Sequence, residues 1–145
     1  MENTLLREME ASVEEVIREI QTLSEEEFEK RVITGIWTAK EILSHIAAWD
    51  LEFINLSRKV IRDERIQKSS DFDTFNSSEV TKRRTLTREE IINEVKRNRK
   101  AYIEFLVKIS QEQLNEPRKS FTIERLARDI ISHDQYHVQQ IRQRT

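Results

Sequence analysis

The sequence contains no cysteine, and its 145 residues include one glycine and one proline. Without cysteine there can be no disulfide, thiolate metal ligand or cysteine nucleophile, so any metal must be bound through nitrogen and oxygen. Scarce glycine and proline leave little material for the tight turns that a multi-stranded sheet needs. These absences predict an all-α protein in which strands are not expected.

Long apolar runs and a strong charge of one sign are also missing. No stretch approaches the roughly 20 apolar residues of a membrane span, and the N-terminal residues lack the pattern of a secretory signal. We therefore expect a cytoplasmic protein with no membrane partner. The formal net charge of −2 gives no electrostatic reason to expect nucleic acid, because that affinity depends on clustered lysine and arginine. The basic run TKRR at residues 81–84 is typical of a solvated helix face.

The pattern of apolar residues predicts one domain, residues 1–145, made of amphipathic helices. Apolar residues recur at steps of three and four in four segments: about residues 2–23, from about 38, about 88–109 and from about 122. Such helices can bury their apolar stripes only against one another, which predicts a four-helix bundle. Capping-box patterns at residues 24–27, 38–41 and 87–90 mark a short extra turn and the starts of helices 2 and 3.

The stretch at about residues 64–86 has weak periodicity and predicts a long crossover between helices 2 and 3. It is long enough to run along the bundle, which allows these two helices to be parallel neighbours. Asn76 with Glu79 can cap a short helix within it. Gly35 marks the loop before helix 2, and Ser110 and Pro117 bracket the connector before helix 4.

The chain has three histidines, His45, His133 and His137. His133 and His137 occupy the apolar stripe of helix 4, and their spacing of four lets both rings point at one position. His45 falls beside the stripe of helix 2, and an antiparallel arrangement would bring it to the same end of the bundle. Three neutral imidazoles suit an open site for zinc, nickel, copper or iron. The alternative is three half-buried core histidines, each with a hydrogen-bonding neighbour.

Two of these segments resemble motifs of the DinB-like (DinB/YfiT) superfamily. WTAKEILSHIAAWD, at residues 37–50, resembles its second-helix signature, and HDQYHVQQI, at residues 133–141, resembles its C-terminal metal motif. DFDTFN, at residues 71–76, is similar to a crossover segment of part of the superfamily. The resemblance covers nearly the whole chain, and it implies a four-helix bundle whose divalent metal ion, usually zinc or nickel, is held by His45, His133 and His137.

The resemblance also implies a range of activities. Relatives include transferases and isomerases that use a low-molecular-weight thiol cofactor, and members linked to DNA-damage responses or hydrolysis. The expected function is therefore that of a metal-dependent, thiol-dependent transferase or hydrolase acting on a small electrophilic substrate. The alternative is a non-catalytic metal-binding or stress-response protein. A homodimer is plausible by the same resemblance.

Further residues near the histidines are candidates for supporting roles. A metal-bound histidine usually donates its second N–H to an oxygen, and three nearby side chains could accept it: Glu41, Asp134 and Gln140. Three aromatic residues could wall a substrate pocket or belong to the core or its rim: Trp37, Trp49 and Tyr136. Two aspartates could add an oxygen ligand, although capping or solvating the crossover is the simpler role for them: Asp71 and Asp73.

Overall fold

The computed structural model describes residues 3–34, 37–62, 64, 70–109 and 122–143. These residues form six helices and one two-stranded hairpin: α1 Asn3–Gln21, α2 Glu25–Lys30, β1 Val32–Thr34, β2 Trp37–Thr38, α3 Ala39–Ile61, α4 Ser70–Lys82, α5 Arg88–Lys108 and α6 Ile123–Arg142. The long helices α1, α3, α5 and α6 pack as a four-helix bundle, which confirms the predicted fold class. None of the described helices is both long and apolar enough to cross a membrane.

The helix starts follow the capping patterns in the sequence. In each predicted capping box, the hydroxyl accepts from the backbone N–H of the third helical residue, whose carboxylate accepts from the cap N–H. The pairs with both hydrogen bonds are Ser24 with Glu27, Thr38 with Glu41, and Thr87 with Glu90. The box at Thr38 starts α3 at Ala39, which places His45 at the end of the second turn.

Contacts between α3 and α5 show that these helices run in the same direction. The side-chain amide of Asn98 donates to the Ala47 carbonyl at 2.8 Å, and further along both helices the rings of Tyr102 and Phe53 lie 6.3 Å apart. The contacts thus advance together along both chains. The long crossover therefore joins parallel neighbours, as its length allows.

The helices α1 and α6 form a second parallel pair. Ser12 donates to Asp134 at 2.7 Å, and further along both helices Arg142 binds Glu15 at 2.8 Å. One apolar cluster contains the ends of α1 and α6 together with the beginnings of α3 and α5. The two pairs are therefore antiparallel to each other, and the start of α3 lies at the same end of the bundle as the last turns of α6.

A buried ion-pair network joins all four long helices. Arg99, which is 2% exposed, binds both carboxylate oxygens of Asp50 at 2.8 and 3.1 Å and one oxygen of Asp134 at 2.9 Å. It also donates to the Met9 carbonyl at 2.6 Å, and Ser12 donates to the same oxygen of Asp134. Each charged group has opposite-charge partners, which offsets the cost of removing it from water.

Two elements differ from the sequence-based expectations. Strands were not expected, but β1 and β2 pair antiparallel with Val32 opposite Thr38. A ribbon of this size needs only one turn, so scarce glycine does not prevent it. Instead of a largely irregular crossover with a short capped helix, the structure has the 13-residue α4, and Asn76 lies inside it rather than at its cap. Gly35, Ser110 and Pro117 lie outside the described residues.

Candidate metal centre

The three histidines come together at one end of the bundle. His45 projects from α3, and His133 and His137 project from successive turns of α6. The Nε2 atom of His133 lies 3.1 Å from the Nε2 atoms of both other rings. One possible ligand atom from each residue lies within 4.8 Å of the others, so the group could hold a metal ion. Two nitrogens that are each about 2.05 Å from a tetrahedral zinc ion are about 3.3 Å apart, close to the 3.1 Å of the two pairs that include His133.

The hydrogen bonds at the far side of two rings determine which nitrogens carry lone pairs. His45 Nδ1 lies 3.0 Å from Asn76 Oδ1, and His137 Nδ1 lies 2.7 Å from Gln140 Oε1. An amide oxygen only accepts, so both Nδ1 atoms donate and both Nε2 atoms present lone pairs. His133 Nε2 carries at most one hydrogen, which it can direct well at only one neighbour. A cation among the three nitrogens removes the remaining lone-pair repulsion, so the donor set fits a metal ion.

Burial keeps the three imidazoles neutral. Burial is the main cause that lowers the pKa of His45 from 6.5 to about 3, and the neighbouring His133 and His137 lower it further. Burial, His137 and Arg99 lower the pKa of His133 to about 4. Burial also lowers the pKa of His137, although Gln140 opposes it. Near neutral pH all three rings are therefore in the uncharged form that binds metals.

Aromatic side chains surround the histidine cluster. The rings of Trp37 and Trp49 lie edge-on to His45, at centroid distances of 5.3 and 5.9 Å. Tyr136 lies 5.6 Å from His137 and is 59% exposed. The three aromatic residues singled out in the sequence thus all border the cluster. Trp49 is buried behind it, and Tyr136 lies at its solvent side.

Of the three predicted hydrogen-bond partners of the histidines, one contacts a histidine in the structure and two make other contacts. Gln140 contacts His137 as expected. Glu41 instead caps α3 through the backbone N–H of Thr38. Asp134 faces the bundle centre, where Arg99 and Ser12 bind it, because its side chain points away from the face that carries the histidines. The sequence therefore supplied one of the two observed amide partners.

Asn76, the second amide partner, was missed as a contact of His45. Its pattern with Glu79 indicated a helix cap, and no local signal connects it to a histidine 31 residues earlier. The side chains of Asp71 and Asp73 lie outside the described part of the structure, so their possible role as ligands stays a prediction.

Comparisons with known proteins agree on the fold. A family model of the DinB superfamily matches residues 5–141, and no curated protein matches the sequence. The colibactin self-resistance protein ClbS, crystallised in complex with a dsDNA, is similar with a TM-score of 0.80 and 11% identity, over 95% of this chain and 91% of that chain. An uncharacterised protein from Escherichia coli UTI89 is similar with a TM-score of 0.79 and 11% identity, over 95% of this chain and 88% of that chain. A Streptococcus pneumoniae protein is similar with a TM-score of 0.77 and 17% identity, over 98% of this chain and 90% of that chain.

The structure of ClbS with DNA contradicts one sequence-based prediction. Nucleic acid was excluded as a partner because the net charge of this chain is −2. That exclusion is wrong, because a protein with a similar fold is crystallised with dsDNA. The physical reason is that net charge is a sum over the whole surface, whereas contacts with phosphates depend on where individual basic side chains lie.

Proposed function

This chain belongs to the DinB superfamily, and on that basis we propose that His45, His133 and His137 hold a divalent metal ion, zinc or nickel, in a metal-dependent enzyme. The observation that carries the proposal is the approach of the His45 and His137 Nε2 atoms to His133 Nε2, with the lone pairs of the first two directed by hydrogen bonds at Nδ1. A purely structural role for the histidines does not require two lone pairs to face a third ring nitrogen.

The number of protein ligands supports a catalytic role. Within the described ranges, the cluster has three histidines and no fourth histidine, aspartate or glutamate. Three protein ligands leave a coordination position for substrate or cofactor, whereas four would indicate a structural ion. A divalent ion bound there would supply a Lewis acid that lowers the pKa of a thiol or water. The chain orients His45 and His137 through amide oxygens, and Trp49 keeps water from the buried side of His45.

We propose that the reaction is transfer to, or hydrolysis of, a small electrophilic substrate, with a low-molecular-weight thiol as cofactor in the transferase case. The alternative is a metal-binding or stress-response protein without turnover. Tyr136 supports a site that small molecules reach, because its exposed ring borders the histidines on the solvent side. The homodimer stays a prediction, which light scattering of the purified chain tests.

Metal analysis of the protein purified without a histidine tag tests the site. We expect about one equivalent of zinc or nickel per chain in the wild type and loss of that metal in His133→Ala. Gln139→Ala is the matched control, because Gln139 is an exposed residue on the same helix. It should keep the metal. A wild-type protein that takes up neither metal would refute the proposal.

An activity screen separates the enzyme from the alternative. The metal-loaded protein is incubated with small electrophiles, with and without low-molecular-weight thiols, and product formation is compared with His133→Ala and with metal-free protein. Turnover that needs both the thiol and the histidine indicates a transferase, and turnover without thiol indicates a hydrolase. Stoichiometric metal with no turnover across the screen favours the non-catalytic protein.

Double-stranded DNA is a second candidate partner, because ClbS, which has a similar fold, is crystallised in complex with a dsDNA. Fluorescence anisotropy of a labelled duplex tests this at several salt concentrations. Binding through phosphates should weaken steeply as salt rises. A duplex that does not bind even at low salt would remove DNA from consideration, and the metal measurement would be unaffected.

A further inference from the structure

We infer that Asn76 is a positioning residue that holds the His45 ring with its Nε2 lone pair facing the other two histidines. This inference rests on the proposed metal site and adds a residue of α4 to it. The side-chain oxygen of Asn76 accepts two hydrogen bonds, one from His45 Nδ1 at 3.0 Å and one from the Trp49 indole N–H. Both acceptor positions of the amide oxygen are thus used.

The Trp49 contact fixes which end of the Asn76 amide faces His45. An indole N–H can only donate, so the amide must present its oxygen to Trp49 rather than its NH₂ group. The same oxygen faces His45 Nδ1, which must therefore carry the hydrogen. The Nε2 atom is left with its lone pair, as a metal ligand requires. The indole thus determines the tautomer of His45 through Asn76.

Contacts that do not involve His45 anchor α4. Phe75 packs against Trp49 at a centroid distance of 5.1 Å. Just beyond the end of α4, Arg83 binds Glu94 of α5 at 2.7 and 2.8 Å and reaches back to the Glu79 carbonyl at 2.8 Å. Asn76 is thus held in place independently of the ring that it orients.

One amide partner lies on the same helix as its histidine, and the other lies on a different helix. Gln140 lies on the same helix as His137, three residues later, so that pair forms wherever α6 is helical. Asn76 comes from another helix, 31 residues from His45 in sequence. The orientation of His45 therefore depends on the docking of α4 against α3, whereas that of His137 does not.

Zinc affinity of the full chain, measured by competition with a chelating dye, tests the role of Asn76. Asn76→Leu keeps the approximate size but accepts no hydrogen bond, and it should weaken zinc binding by about 10-fold to 100-fold. Asn76→Asp retains an acceptor for both N–H groups and should bind zinc at least as tightly as the wild type. Rescue by aspartate but not leucine separates the hydrogen bond from packing.

A second readout follows the His45 tautomer directly. Nitrogen-15 NMR of the metal-free protein should show hydrogen on Nδ1 in the wild type and in Asn76→Asp, and a shift of hydrogen to Nε2 in Asn76→Leu. Ser78→Ala is the matched control, because Ser78 is an exposed residue on the same helix. It should leave the tautomer unchanged and zinc affinity within about threefold of the wild type.

The outcomes distinguish failure of the Asn76 positioning role from failure of the metal site. If Asn76→Leu binds zinc as tightly as the wild type, or Asn76→Asp loses as much affinity as Asn76→Leu, the positioning role is overturned. If the wild type binds no zinc or nickel, the metal site itself is wrong. The tautomer in the metal-free protein would then still show whether Asn76 sets the His45 ring.

Discussion

Acid should destabilise the metal-free protein through His45. In the folded state, burial lowers the pKa of His45 to about 3, whereas in the unfolded chain it has its ordinary value of 6.5. Below pH 6.5 the imidazole of His45 therefore becomes protonated in the unfolded chain but stays neutral in the folded protein. The contribution of His45 to the free energy of unfolding is fully present above its pKa in the unfolded chain. It is lost as pH falls toward its pKa in the folded protein.

The size of this loss follows from the two pKa values. Each pH unit between the two pKa values lowers the free energy of unfolding by about 1.4 kcal/mol. At pH 5 the loss due to His45 is therefore about 2 kcal/mol. His45 is 8% exposed, so solvent screening reduces this value little. His133 is also neutral in the fold, and its pKa of about 4 adds a loss in the same pH range.

Urea denaturation with a chelator present, at about pH 7.5 and about pH 5, measures the effect in the wild type and in His45→Gln. The wild type should lose about 2 kcal/mol more than the variant between the two pH values. Burial raises the pKa of Asp50 to about 6 despite Arg99, so its protonation opposes the loss as pH falls. Asp50 is present in both proteins and cancels in the comparison. Equal losses in the two proteins would show that His45 is not neutralised by burial.

Three other substitutions test separate parts of the structure. Gln140→Leu removes the partner of the His137 Nδ1 and should weaken zinc binding by about 10-fold to 100-fold in a chelator competition, with the circular dichroism spectrum unchanged. Arg99→Met leaves Asp50 and Asp134 buried without their cation and should lower the free energy of unfolding by about 3–5 kcal/mol in urea; a loss below about 1 kcal/mol would contradict the network. Thr87→Ala removes the cap of α5 and should cost about 1 kcal/mol in the same assay.

The long helices could be predicted because their signals are local. The apolar spacing of α1 and α6 and the capping boxes at Thr38 and Thr87 involve residues within a few positions of one another. The helix α4 could not be predicted as a full helix, because its apolar periodicity is weak and contacts such as Phe75 on Trp49 hold it to α3. The hairpin strands have three and two residues, too few to show an alternating pattern.

The histidine cluster could be predicted only in part. The spacing of His133 and His137 is a property of one helix, and His45 joins them because α3 and α6 are antiparallel. The hydrogen bond from His45 to Asn76 could not be read from the sequence, since it depends on how α4 docks. The prediction that nucleic acid is not a partner was wrong for another reason: a sum of charges contains no information about their positions.

The network around Arg99 has a consequence for how the histidines are brought together. If α6 slid by one turn along its neighbours, Asp134 would move by about 5.4 Å and the buried charges would lose their partners. Alternative alignments of α6 are therefore disfavoured by electrostatics, and no metal ion is needed for this. The three histidines are held close without an ion, so in the proposed metal site the entropy cost of assembling them would fall on protein folding and would not weaken metal binding.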